Sequence, residues 1–180
     1  MRKELVRKSK LLSLVLRHEP GAIGLSLDGN GWADVSELLT KAAAAGTPIS
    51  LEELREIVAT NEKKRFDLDS QQWRIRANQG HSIEVDAEIP EAIPPEYLYH
   101  GTALKNVESI ASAGLLKQAR QHVHLSSDTA TAKMVGTRHG SPVIFKVASG
   151  TMHREGLKFY LSKNGVWLVD EVPARYLERL

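Results

Sequence analysis

The chain has 180 residues, 42% hydrophobic and 26% charged, with a net charge of +2 and no cysteine; it is globular in composition and long enough for one domain or two small ones. Without cysteine there is no disulfide, no thiolate metal site and no cysteine nucleophile. No apolar run approaches the ~20 residues of a membrane span, and Met1-Arg-Lys-Glu-Leu5 lacks the apolar core of a signal peptide, so a cytoplasmic protein without membrane association is expected.

Residues 3–16 are predicted to be helical, with Leu5, Leu12 and Leu16 at helix spacing. Residues 1–18 carry six Lys/Arg (Arg2, Lys3, Arg7, Lys8, Lys10, Arg17) against Glu4 alone, a face for a polyanion or a solvated helix surface. Pro20 stops the helix. Arg17 and His18 stand where the helix dipole favours cations, so they read as a cap or as part of a site. Asp28-Gly-Asn-Gly31 is a turn. Asp34 or Ser36 caps a helix through Leu38, Leu39 and Ala42–Ala45 that ends at Gly46. Ser50 and Glu53 form a capping box for Leu51–Thr60. Residues 65–77 read as a hairpin, with Phe66 and Leu68 alternating, a turn at Asp69–Gln72, and Trp73 and Ile75 alternating back. Lys63, Lys64 and Arg65 open it as a run of cations suited to nucleic-acid phosphates. For Lys63 and Lys64 a solvated turn explains the charge equally well. Arg65 lies on the face opposite Phe66 and Leu68. Three helices followed by a hairpin predict a winged helix over residues 1–78.

Residues 79–96 contain Pro90, Pro94 and Pro95 among five acids and are predicted to be a linker. Residues 97–180 read as short strands at 97–100, 122–126, 142–148, 158–161 and 166–169, with helices at 104–112 and 128–138. This pattern is an α+β domain around a mixed or antiparallel sheet. Gly101 is followed by no Gly-x-x-Gly pattern, which excludes a Rossmann phosphate loop.

The richest stretch is Arg120-Gln-His-Val-His-Leu-Ser126. As a strand it presents Arg120, His122, His124 and Ser126 on one face and Val123 and Leu125 on the other. A face with a cation, two imidazoles and a hydroxyl suits an anion such as phosphate. His122 and His124 also have a metal-pair spacing, but Arg120 beside them repels a cation, so no metal is expected. Tyr99-His100-Gly101-Thr102 ends a strand with hydrogen-bonding side chains around a glycine that lets a ligand approach the backbone. A strand-end turn explains it as well. His100-Gly-Thr102 and His124-Leu-Ser126 form two His-x-Thr/Ser pairs, the pattern of 2H phosphoesterases, which work without NAD. Asn164-Gly165-Val166-Trp167 is a turn into an apolar strand, with Trp167 in the core or walling a pocket. A non-enzymatic winged-helix regulator is a third reading, but it has no use for the polar face at 120–126.

LRHEP (16–20), LDGNGWADVSELL (27–39), NEKKRFDL (61–68), IRANQGHS (75–82), PPEYLYHGT (94–102), RQHVHLSSD (120–128), VGTRHGSPVIFKV (135–147) and NGVWLVDEVP (164–173) together resemble the RNA 2′-phosphotransferase (KptA-type) family. The resemblance implies a winged-helix lobe joined to an ADP-ribosyltransferase-like, NAD-binding lobe. It implies transfer of an internal RNA 2′-phosphate to NAD, a reaction of tRNA splicing and RNA repair, through an ADP-ribosylated RNA 2′-phosphate. Carried over by position, the catalytic set is Arg17, His18, Arg65 and Arg120. His100, Gly101 and Thr102 fall in the NAD cleft, with Gly114, Ser126 and Arg138 as further NAD contacts and Lys63 and Lys64 on the RNA. Gln118 and Val147-Ala148-Ser149 depart from the family pattern, away from the catalytic four. The expected partners are RNA and NAD, and the expected state is a monomer.

Overall fold

Helix α1 (Lys3–Arg17) turns Leu5, Leu12, Val15 and Leu16 onto one buried face. The structure, a computed structural model, describes residues 3–61 and 63–180. Arg2 of the basic N-terminal run and Glu62 of the cationic run lie outside the described residues. The chain divides into two units, Met1–Glu88 and Ile89–Leu180.

In the first unit, Asp34 accepts from the Glu37 N–H at 2.8 Å and starts α2 (Val35–Ala44). Ser36, the other candidate cap, accepts from Trp73 Nε1 at 2.9 Å instead. The capping box forms in both directions between Ser50 and Glu53 and starts α3 (Leu51–Thr60). Lys8, held between Glu4 at 3.2 Å and Glu53 at 2.6 Å, ties α1 to α3. Strands β1 (Ala33–Asp34), β2 (Phe66–Asp69) and β3 (Arg74–Ala77) form an antiparallel sheet in the order β1-β3-β2. Leu12, Leu16, Leu38, Leu54, Ile57 and Ile75 are fully buried between helices and sheet, each contributing roughly 1.5–3 kcal/mol. Trp73 departs from the predicted alternation. It closes the hairpin turn between the paired residues Asp69 and Arg74, at φ +53°, and its carbonyl accepts from the Val35 N–H.

The predicted linker is divided between the units. Ser82 donates its N–H to Arg17, Asp86 donates its N–H to Gly29, and Glu88 pairs with Arg76 at 3.0 Å. On the other side, Pro90 accepts from Leu161 and Glu96 grips Arg154 through two bonds. Proline and acid content hid these bonds because half of them run through the backbone and the rest join acids to arginines far along the chain, which composition does not report.

The second unit contains the sheet β11-β7-β4, built from β4 (Leu98–Ala103), β7 (Pro142–Val147) and β11 (Leu177–Arg179). A second sheet, β6-β9-β8, combines β6 (Val123–Leu125), β8 (Phe159–Leu161) and β9 (Trp167–Val169). All pairings are antiparallel. Paired backbone bonds between Tyr99 and Ser126, of 2.9 and 2.8 Å, join β4 to the end of β6. A short ribbon pairs β5 (Leu115–Leu116) with β10 (Glu171–Val172). The helices are α4 (Val107–Ala113), α5 (Thr129–Thr137) and α6 (Ser149–Arg154). Leu98, Leu125, Met152 and Phe159 form the centre of the core, with Trp167 in it rather than walling a pocket. The unit is α+β, as its strand-rich pattern predicts.

Two expectations change here. The strand expected at 120–126 is shorter, because a turn bonds the Arg120 N–H to the Lys117 carbonyl and Gln118 takes φ +55°. Arg120 therefore stands in a bend before β6, outside the strand alternation. Gly101 does not open the backbone to a ligand on its side-chain face. A Cβ there would lie 1.6 Å from the Ala132 carbonyl oxygen of α5, so glycine lets the helix lie on the strand.

Candidate active site

In the first unit, Arg17 closes the last turn of α1 with Nε and Nη2 buried. His18 follows, its N–H bonded to the Leu14 carbonyl. Both are held by one residue far along the chain. Ser82 donates its N–H to the Arg17 carbonyl at 2.9 Å, and its Oγ lies 2.9 Å from His18 Nδ1. Pro20 follows the helix end, and Ser82 fixes the two residues that stand there.

Arg65 is half-buried and lies just before β2. Asn78 donates its N–H to the Arg65 carbonyl at 2.9 Å and its Nδ2 to the Lys64 carbonyl at 2.6 Å. Asn61, 3% exposed, organises the cationic turn. Its Oδ1 accepts from the Lys63 N–H at 3.2 Å and Arg65 Nη1 at 3.4 Å, and its carbonyl accepts from the Lys64 N–H at 2.7 Å. Lys63 and Lys64 are exposed, Lys64 at φ +40°. Asn78 and Ser82 are four residues apart, which caps their Cα separation at about 14 Å. One strap, Asn78–Ser82, therefore holds Arg65 at one end and Arg17 with His18 at the other.

Within the strap lies His81, 1% exposed, with both ring nitrogens buried and without a hydrogen-bond partner among the described residues. Burial pushes its pKa down to about 4, and the charges of Arg17, His18 and Arg76 push the same way. His81 is therefore neutral near pH 7 and adds no charge to a corner already rich in cations.

In the second unit, Arg120 Nη1 donates to His124 Nδ1 at 3.1 Å, and His100 Nδ1 donates to the His124 carbonyl at 3.0 Å. A guanidinium only donates and a carbonyl only accepts, so His124 accepts at Nδ1 and His100 carries its proton there. Burial holds the His100 pKa below its usual value, the His124 bond opposes that, and Arg120 adds to it. Neutral His100 is left with Nε2 as an acceptor, suited to a hydroxyl such as that of a ribose. Thr102, 5% exposed, accepts from Asn106 Nδ2 at 3.1 Å. Ser126 carries the backbone pairing with Tyr99. The structure thus gathers Arg120, His124, His100 and Ser126, three of them predicted NAD or catalytic positions, around the junction of β4 and β6.

The remaining candidates have surroundings of their own. Gly114 ends α4 at φ +80°, where a Cβ would lie 2.2 Å from the Val172 carbonyl oxygen; its place is explained by chain packing. Arg138 is exposed at the C-terminal cap of α5. His122 packs on Tyr160 with ring centroids 5.6 Å apart, and burial lowers its pKa while Asp170 opposes the shift. A cavity of about 700 Å³ is lined by residues that include Lys117, Lys158, Asp170 and Glu171 but none of the predicted NAD contacts. Among the described residues no cluster of His, Asp or Glu is arranged to hold a metal ion. No helix among them is long and apolar enough to cross a membrane.

Asn61, Asn78, His81 and Ser82 escaped the sequence reading. Their signal was present, since IRANQGHS and NEKKRFDL contain all four, but polar residues that support other side chains have no spacing rule of their own.

A family model described as RNA 2′-phosphotransferase, Tpt1 / KptA family, matches residues 3–171. The chain is 52% identical over 176 residues to a protein of Nostoc punctiforme, covering 98% of this chain and 97% of that one. It is 56% identical over 170 residues to a protein of Flavobacterium johnsoniae, covering 94% and 93%. It is 53% identical over 180 residues to a protein of Hahella chejuensis, covering 100% and 97%. Each of these relatives is named "Probable RNA 2′-phosphotransferase".

Proposed function

The chain belongs to the RNA 2′-phosphotransferase family and is an enzyme of that class, and from that premise we propose that it moves an internal RNA 2′-phosphate to NAD in two steps. NAD supplies an electrophilic ribose carbon, C1″, from which nicotinamide leaves as the RNA 2′-phosphate attacks. The neighbouring ribose O2″ then attacks the phosphorus and displaces the RNA 2′-oxygen, giving 2′-OH RNA and ADP-ribose 1″,2″-cyclic phosphate. The winged-helix and ADP-ribosyltransferase-like descriptions of the two units belong to the same proposal.

The observation that carries it is the anchoring of the four basic residues, Arg17 through its main chain and His18, Arg65 and Arg120 through their side chains. Ser82 holds Arg17 and His18 by main chain and ring, Asn61 and Asn78 hold Arg65, and His124 holds Arg120. This set fits the chemistry. The attacking phosphate is already an anion and needs no base, and nicotinamide leaves as a neutral molecule and needs no acid. The first step needs two polyanions aligned against their repulsion, which arginine forks achieve by binding phosphate oxygens in pairs. In the second step charge grows on the phosphoryl group, where Arg17, Arg65 and Arg120 stabilise it. His18 donates the proton to the departing RNA 2′-oxygen. His100, Thr102 and Ser126 offer polar groups to the NAD ribose and pyrophosphate, Arg138 offers a cation, and Lys63 and Lys64 meet the RNA backbone.

The test is incubation with an oligonucleotide carrying one internal 2′-phosphate, with and without NAD. Phosphate loss that requires NAD and releases nicotinamide is the expected result. Loss without NAD points instead to the two His-x-Thr/Ser pairs, and binding without turnover removes the catalytic reading.

A further inference from the structure

The strap Asn78–Ser82 does more than hold Arg65. Its last residue makes two bonds to consecutive residues at the end of α1. The main-chain bond, Ser82 N–H to the Arg17 carbonyl at 2.9 Å, fixes the end of the helix. The side-chain contact, Ser82 Oγ to His18 Nδ1 at 2.9 Å, engages one edge of the imidazole. The strap is itself held. Asn78 is bonded to Lys64 and Arg65, Gly80 takes φ +86°, and His81 is buried beside Gly31. A hydroxyl on an anchored strap orients a ring; a hydroxyl on a mobile loop does not.

We propose that Ser82 is a positioning residue for the second step, holding His18 by Nδ1 so that Nε2–H is the edge offered to the departing RNA 2′-oxygen. The inference rests on the reading of His18 given above. In the acid form both ring nitrogens carry protons, so Nδ1–H donates to Ser82 Oγ and Nε2–H points away from it. Proton transfer then breaks the Nε2–H bond and forms the O–H bond of the RNA 2′-hydroxyl. The ring is left neutral with its remaining proton still on Nδ1 and still bonded to Ser82. The strap adds no competing charge, because His81 is neutral.

The experiment feeds the isolated RNA–phospho–ADP-ribose intermediate to wild type, Ser82→Ala, Ser82→Thr and His18→Ala, and times the second step in single turnover. The first step is timed separately. Expected are loss of the second step in His18→Ala, a fall of about tenfold or more in Ser82→Ala, and near-wild-type rates in Ser82→Thr, which keeps the hydroxyl. The first step changes little in Ser82→Ala. If His18→Ala loses the second step and Ser82→Ala runs it at the wild-type rate, the positioning role is overturned while the His18 reading stands. If His18→Ala runs it normally, the His18 reading itself falls, and this inference with it. Thermal unfolding checks that Ser82→Ala is folded. Should it not be, nitrogen-15 imidazole spectra of the wild type decide: a His18 ring with its proton held on Nδ1 supports the role, and a ring exchanging freely between tautomers overturns it.

Discussion

Replacing Gly101 with alanine tests whether that glycine serves the fold or a ligand. Its new methyl carbon would lie 1.6 Å from the Ala132 carbonyl oxygen, where ordinary contact begins near 3.4 Å. Strand β4 and helix α5 would have to part by about 1.8 Å, since the obstacle is backbone and cannot rotate away. Tilting the helix gives no relief. One turn on, the position of a Cβ on Gly136 lies only 2.7 Å from the Thr102 carbonyl oxygen, so the two elements are in close approach along a full turn. Overpacking of well-filled cores costs about 1–3 kcal/mol, and a backbone clash belongs at the top of that range or above. A loss of about 3 kcal/mol lowers the midpoint by roughly 12–24 °C for a unit of this size melting by itself. Thermal and urea unfolding of the purified variant, followed by circular dichroism, measure it. A midpoint within about 2 °C of wild type would refute the packing argument, and unchanged stability with lost NAD binding would return Gly101 to the ligand.

Acid unfolding carries a second prediction. The His81 pKa falls from 6.5 in the unfolded chain to about 4 in the fold, so the unfolded state binds more protons between these values. The stability this provides is complete above pH 6.5 and is lost as pH drops toward 4, by about 3 kcal/mol in all. Urea titrations across that window should show a steeper loss in wild type than in His81→Gln, and identical slopes would remove His81 from the account. Arg120→Ala, which also removes the guanidinium donor to His124 Nδ1, is expected to slow turnover about 100-fold or more and to accumulate RNA–phospho–ADP-ribose, whereas full activity would exclude Arg120 from the second step. Lys63→Ala and Lys64→Ala should each weaken RNA binding at low salt and reduce the salt slope by about 1; filter binding at several salt concentrations reads it, and an unchanged slope in both variants would place the lysines off the RNA.

Local rules carried the sequence reading furthest where one residue decides one element. Ser50 with Glu53, Asp34 and Pro20 set helix ends by bonding or blocking the backbone within a turn, and their predicted positions match α1, α2 and α3. Leu5, Leu12 and Leu16 reported the buried face of α1 because helical geometry brings their spacing to one side. Strand alternation failed where a turn intervened. Trp73 closes the hairpin turn between Asp69 and Arg74, and Arg120 follows a turn that bonds its N–H to the Lys117 carbonyl. Within the predicted linker, Ser82 bonds to Arg17 and His18, a contact that composition does not report.

Family and reaction class were settled by the order of residues along the chain, because a chemistry needs particular groups and those groups are written out in it. What those groups do at their positions was decided by tertiary contacts. Ser82 meets His18 across 64 positions of sequence, and His124 takes Arg120 on its ring and His100 on its carbonyl. Gly101 matters through the helix laid over it. Hydrogen bonds and close packing act over a few ångströms of space, and only folding brings residues so far apart in the chain within that range.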